Sequence, residues 1–194
     1  PILLAGPAVY RSDARSELQR LAEKINAPVA VTRCGKGVLP EDHPLALQII
    51  YGYPAQEAIR AADCTLAIGT RFTSIDTRNW SHEYPRPLIQ IDEDHQEIGR
   101  EYPCDIAVVG NLKSTLQALI EQTPAKENSW NEELKRINAA HSAQPALPLL
   151  SEIRELLPRE GIISVDVHGI GYSTFSEYPV YDPKTFIYPN IGVA

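Results

Sequence analysis

Methionine is missing from all 194 residues. Together with a first residue that falls at the edge of an apolar run, that absence is expected of a piece cut from a longer chain. The closing Asn190-Ile191-Gly192-Val193-Ala194 reads as the entrance to a further element. No apolar run approaches the roughly 20 residues that a bilayer-spanning helix needs, and no charged-then-apolar leader precedes the first run, so no membrane partner is expected. Cysteine is scarce. Cys34, Cys64 and Cys104 are odd in number, far apart and without CxxC spacing, which argues against a disulfide framework or a zinc site and for a reducing compartment, the cytoplasm. Basic residues are outnumbered, 18 against 25 acidic, and the net charge of −7 opposes attraction to nucleic acid or to an anionic membrane surface.

The common phosphate and metal motifs are missing as well. Gly6-Pro7-Ala8-Val9-Tyr10-Arg11 follows an apolar run but fails GxGxxG at both later glycines, which excludes the usual NAD fingerprint. Gly35-Lys36-Gly37 is not a P-loop, since the earlier glycine of that pattern is Ala30 and the residue after the lysine is Gly37. It reads either as a glycine turn with a solvated lysine or as a loop facing a ligand or a neighbouring subunit. His43, His82, His95, His141 and His168 have neither i, i+4 nor HExxH spacing, so no metal site is expected. His168 follows Asp166 in the Gly-rich turn His168-Gly169-Ile170-Gly171, where a catalytic or diphosphate-facing role stands against a surface loop. No serine or cysteine has an evident base, so nucleophilic catalysis is not expected.

Apolar runs are what the chain has. With 43% hydrophobic residues, 194 residues suffice for one full domain plus a fragment. Six runs, residues 1–6, 27–32, 64–71, 87–92, 105–110 and 161–166, each stop at a small, hydroxylated or charged residue. Between them the period turns helical. Leu18, Leu21, Ala22 and Ile25 form a stripe with a start at Ser12-Asp13; Ala55, Ala58, Ile59 and Ala62 form one behind Pro54; Asn111 is suited to cap a helix bearing Leu112, Leu116, Leu119 and Ile120, ended by Thr123-Pro124. This rhythm predicts an α/β fold, a three-layer α/β/α Rossmann-like domain with a parallel sheet of about six strands. Residues 1–123 form that domain. Residues 124–147 read as a linker with one helix through Trp130, Leu134 and Ile137, broken around Gln144-Pro145 and Pro148. From 148 to 194 a second domain opens, with Leu149, Leu150, Ile153, Leu156 and Leu157 as a stripe leading into the last run.

In open α/β sheets ligands bind beyond the carboxyl ends of the strands, where this chain has Gly6, Thr32, Gly69, Arg71, Asp92 and Asn111. Gly69-Thr70-Arg71 joins a residue that permits close backbone approach to a guanidinium that can grip a diphosphate, stack on a flat ring, or simply hold a loop. Asp92 can accept ribose hydroxyls or cap a short helix through Ile98.

The ordered turns resemble the central domain of thiamine diphosphate-dependent enzymes of the acetolactate synthase and 2-oxo acid decarboxylase group. The resemblance runs through Leu3-Leu4-Ala5-Gly6, Ala27-Pro28-Val29 with Gly35-Lys36-Gly37, Pro40-Glu41-Asp42-His43-Pro44, Ala67-Ile68-Gly69-Thr70-Arg71-Phe72, Ile91-Asp92-Glu93-Asp94 with Glu97-Ile98-Gly99, and Val109-Gly110-Asn111. Residues from about Leu147 are similar to the start of the diphosphate-binding domain, with Ile163-Ser164-Val165-Asp166-Val167 as its first strand. The resemblance implies a parent that decarboxylates and ligates 2-oxo acids such as pyruvate with thiamine diphosphate and Mg2+, as a homodimer or homotetramer. The activating glutamate's domain and the GDG…N segment for metal and diphosphate lie outside these residues, so the piece alone is expected to be inert, with no catalytic or metal residue of its own.

Central domains of this group carry FAD, ADP or nothing, and carried over position by position the nucleotide-facing residues are Gly6, Thr32, Gly52, Gly69, Thr70, Arg71, Asp92 and Asn111. The chain departs from the flavin pattern. Thr73-Ser74-Ile75 replaces paired aspartates, Tyr53 stands where a glycine-flanked histidine belongs, and Asn111 replaces an aspartate. This favours a structural domain without flavin. The alternatives are a stand-alone FAD- or NAD(P)-binding module of the electron-transfer flavoprotein or transhydrogenase kind and a non-enzymatic interaction domain.

Overall fold

The computed structural model describes residues 1–126, 130–142 and 147–188. The chain forms six strands, β1 (Ile2–Ala5), β2 (Val29–Val31), β3 (Ala46–Ile49), β4 (Thr65–Ile68), β5 (Leu88–Asp92) and β6 (Ile106–Val109), of which β1, β2, β4 and β5 are apolar runs mostly buried on both faces. They pair in the order β3-β2-β1-β4-β5-β6, every neighbour parallel. At the centre, Leu4 lies beside Ala30 on one side and Ala67 on the other, all three fully buried. The expected three-layer α/β/α architecture is formed.

The first connection runs from β1 through a single helical turn, α1 (Ala8–Arg11), and α2 (Arg15–Ile25) to β2; α3 (Tyr53–Ala61) carries the chain back from β3 to β4. Right-handed crossovers in opposite directions place α2 and α3 on opposite faces. Helix α4 (Leu112–Gln122) packs beside α2, and α5 (Asn131–Ser142) beside α3, which completes the two outer layers. The capping expected of Asn111 is there: its Oδ1 accepts the Ser114 N–H at 3.1 Å. Pro54 sits in the first turn of α3 as expected. The stripe of Trp130, Leu134 and Ile137 is buried in the same core as the sheet.

Three expectations are corrected. The sixth strand of the sheet is β3, not the run at 161–166. That run holds only β7 (Ile163–Ser164), paired in parallel with β8 (Phe186–Ile187) in a separate two-stranded sheet. Ala-Leu-Gln-Ile escapes a hydrophobic reading because it is an edge strand, alternately buried and half-buried, with a register shift against β2 and Gln48 at φ +60°. Ser12 and Asp13 do not start α2: Ser12 closes α1, Asp13 has φ +49°, and α2 follows Ala14 without a side-chain cap. The Gly-rich turn at 169–171 is the first turn of α7 (Gly169–Glu177). Beyond α5, α6 (Pro148–Leu156) buries Leu150, while Leu149 and Leu156 of the expected stripe are 47% and 85% exposed. Gln144-Pro145 and residues 190–194 lie outside the described residues. Among the described residues, no helix is long and apolar enough to cross a membrane.

Candidate functional site

The topological switch lies between β1 and β4: one connection leaves leftward to β2, the other rightward to β5, and a crevice is expected where they part. Two glycines close it. A Cβ on Gly6 would stand 2.1 Å from the Gly69 carbonyl oxygen and 2.7 Å from Thr70 Cα, so the two turns meet backbone to backbone. Gly69 has φ +60° and would strike Ala8 Cβ at 2.6 Å with any side chain of its own. The amides here are consumed locally. Gly6 N–H donates to the Ile68 carbonyl at 2.9 Å, Ala8 N–H to the Gly69 carbonyl at 3.3 Å, and Pro7 has none to give. A dinucleotide's diphosphate normally rests on free amides of this first turn. The turn does not offer them, and the residues present do not fit a flavin held in that way.

Beside the closed crevice lies an open cleft of about 380 Å³ lined by Ala8, Arg11, Arg71, Asp92, Glu93, Asp94 and His95. Arg71 leaves β4 with its side chain half exposed, and its Nε is 3.2 Å from Glu97 Oε1; the other carboxylate oxygen of Glu97 meets Arg100 at 2.6 Å. Glu97 itself is buried, held because Gln90, from within β5, donates to its carbonyl at 2.8 Å and accepts the Gly99 N–H at 2.8 Å. Asp92 is buried, and its Oδ1 accepts the Asp94 N–H at 3.0 Å, so it shapes a turn and does not cap a helix. Asn111 joins this side of the rim through Glu93, whose Oε1 takes its Nδ2–H at 2.8 Å, the Leu112 N–H at 3.1 Å and the Ser12 hydroxyl at 2.8 Å. A carboxylate on the first amides of α4 is favoured by the helix dipole.

The structure therefore brings Gly6, Gly69 and Thr70 into one contact and Arg71 and Asp92 into one cleft, with Asn111 tied to its wall through Glu93. Thr32 sits beside the first contact, its N–H donating to the Ala5 carbonyl at 3.0 Å, and Gly52 stands apart. Thr32 packs against Gly35 with its hydroxyl buried and without a hydrogen-bond partner, and Gly52 precedes α3 against Ile49. On that far side Asp76 receives the Arg33 N–H at 3.0 Å and the Thr73 hydroxyl at 2.7 Å. The loop then turns through Arg78, Asn79 and Trp80, three successive residues at φ +49°, +55° and +57°. Trp80 Nε1 donates to the Phe72 carbonyl at 3.0 Å and Arg78 to the Tyr51 carbonyl at 3.2 Å, bonds that hold this unusual backbone and leave the indole half exposed at the rim.

Sequence reasoning missed Glu93, Glu97 as the partner of Arg71, and Gln90; only Gln90 carried a local signal, a polar residue inside a buried strand. Lys36 is corrected: it is not solvated but buried, bonded to Glu41. His168 is exposed at the start of α7. Cys34 is exposed, and partial desolvation beside the Asp76 charge pushes its thiol up, away from the lowered values of reactive cysteines. Among the described residues no three His, Cys, Asp or Glu side chains gather as a metal site.

Residues 1–119 match the family described as thiamine pyrophosphate enzyme, central domain. The chain belongs to the thiamine pyrophosphate enzymes. Their sequence relatives include a probable acetolactate synthase large subunit of Methanocaldococcus jannaschii, 40% identical over 149 residues that make up 71% of this chain and 25% of that protein. A probable 2-ketoarginine decarboxylase of Pseudomonas aeruginosa is 30% identical over 97% of this chain and 35% of its own length. A putative thiamine pyrophosphate-containing protein of Bacillus subtilis is 31% identical over 86% of this chain and 31% of that one. The chain thus spans about a quarter to a third of the length of these thiamine pyrophosphate enzyme relatives.

Proposed function

We propose that this chain is the bracing central domain, at residues 1–123, joined by a linker at 124–147 to the opening of the diphosphate-binding domain at 148–194, of an enzyme acting on a 2-oxo acid such as pyruvate. The observation that carries the reading is the match of residues 1–119 to the central domain, in a chain whose relatives bear the names acetolactate synthase and 2-ketoarginine decarboxylase. Thiamine diphosphate, with Mg2+, supplies the chemistry in the parent by accepting the electrons released when carbon dioxide leaves. What this chain's own residues do is structural. The Gly6–Gly69 contact and the Arg71–Glu97 pair set the shape of the rim against which other parts of the parent rest, and the closed crevice supports a domain that works without flavin. Three free cysteines accord with a cytoplasmic enzyme, and a homodimer or homotetramer is the expected assembly of the parent.

The test is turnover. Full-length protein is expected to release carbon dioxide from pyruvate or another 2-oxo acid only when thiamine diphosphate and Mg2+ are both added, while the 194-residue chain alone turns over nothing. Full-length protein that consumes no 2-oxo acid at saturating cofactor overturns the reading.

A further inference from the structure

The loop after β2 carries a lysine and a glutamate whose side chains are 1% and 2% exposed. Lys36 Nζ lies 2.7 and 2.8 Å from the two oxygens of Glu41 and donates its remaining bond to the Phe175 carbonyl at 3.2 Å, so all three ammonium hydrogens are used. The Phe175 carbonyl is among the last four of α7, which have no partner inside the helix, and a cation is favoured at that end of the helix dipole. Glu41 completes the exchange. Its Oε2 accepts the Val180 N–H at 3.0 Å while its own N–H donates to the Val180 carbonyl at 2.9 Å. The loop is shaped for the contact: Gly37, at φ +83°, would meet Val180 Cγ1 at 2.8 Å with any side chain, and the Tyr10 hydroxyl fixes the Lys36 carbonyl at 2.8 Å.

We propose that the Lys36–Glu41 pair is the docking pin that fixes the segment from α7 to β8 on the central sheet, and, resting on the function proposed above, that it positions the opening of the diphosphate-binding domain for cofactor. Charges taken from water without compensation are costly, and apolar residues would fill the space at no such cost. Here both charges reach across to backbone groups 139 residues away, so the pair specifies where the segment sits in a way that an apolar contact does not. Lys36 and Glu41 act as positioning residues; neither touches substrate.

Hydrogen exchange in the full-length protein tests this with Lys36→Met, Glu41→Gln and the double variant Lys36→Met/Glu41→Leu. Amides of residues 175–182 are expected to exchange about tenfold faster or more in all three, while β1, β4 and β5 keep their protection. Because a single variant leaves an unpaired buried charge and can fail to fold, the double variant decides: native exchange in it means that the pair only balances its own charge, and overturns the proposal. Lys135→Ala, which removes the exposed Lys135–Glu132 pair of α5, is expected to leave exchange at 175–182 unchanged, and equal loosening there also overturns the assignment. The double variant should raise the half-saturating thiamine diphosphate concentration about tenfold with kcat altered less than about threefold. Unchanged half-saturation overturns the positioning role. Absence of cofactor-dependent turnover in the unsubstituted protein is failure of the proposed function, and the exchange pattern still decides the pin.

Discussion

A Gly6→Ala chain should be the least stable of all single variants at the rim, losing about 3 kcal/mol or more in urea denaturation followed by circular dichroism. The reason is the partner. The added carbon would stand 2.1 Å from the Gly69 carbonyl oxygen and 2.7 Å from Thr70 Cα, and both are backbone at the end of a central strand. A flexible side chain could swing aside, but this backbone can move only by separating β1 from β4, whose four residue pairs run from Ile2–Thr65 to Ala5–Ile68. An unshifted midpoint for Gly6→Ala would show that the two turns do not touch, and the closed crevice would go with them.

Gln90→Leu is expected to cost about 2–4 kcal/mol, since each of two buried backbone groups left without a partner carries about 1–3 kcal/mol. The volume hardly changes, so the loss isolates hydrogen bonding from packing. Gln90 is 1% exposed in the middle of β5, and its amide holds the Glu97 carbonyl on one side and the Gly99 N–H on the other. With both freed, the turn that presents Glu97 to Arg71 loosens. A second readout follows: the peptide spanning residues 93–100 should exchange its amides faster than β5 itself. A Gln90→Leu protein as stable as the parent would mean that solvent reaches those two groups and that the rim is not braced from within.

Much of the sheet was readable because a parallel strand buried on both faces must be largely apolar, a condition that β1, β2, β4 and β5 satisfy, while the edge strand β6 was readable because Ile106, Ala107, Val108 and Val109 are all apolar although largely exposed. Edge strand β3 need satisfy it on one face only, so Ala46, Leu47, Gln48 and Ile49 left no run to find. Helix α7 was hidden for a different reason. Gly169 and Gly171 disfavour helix locally, and the burial of Phe175 and Tyr178 against distant residues outweighs that preference. At the rim, Arg71 and Asp92 were readable from their places after β4 and β5. Their partners were not: the acceptor of Arg71 is Glu97 and the surroundings of Lys36 include residues 175 and 180, contacts that no local period encodes. Lysine is almost never buried unless paired, so a glycine-flanked lysine reads as solvated until the fold supplies its partner.

The two tryptophans of the chain occupy opposite environments, Trp80 at 49% exposure on the left-handed turn and Trp130 at 6% against the core ahead of α5. Native emission is therefore a sum of a red, acrylamide-accessible component and a blue, shielded one. Anything that settles over the turn dims or shifts the first and leaves the second as an internal standard, so the protein carries its own fluorescent gauge of occupancy at the carboxyl end of its sheet.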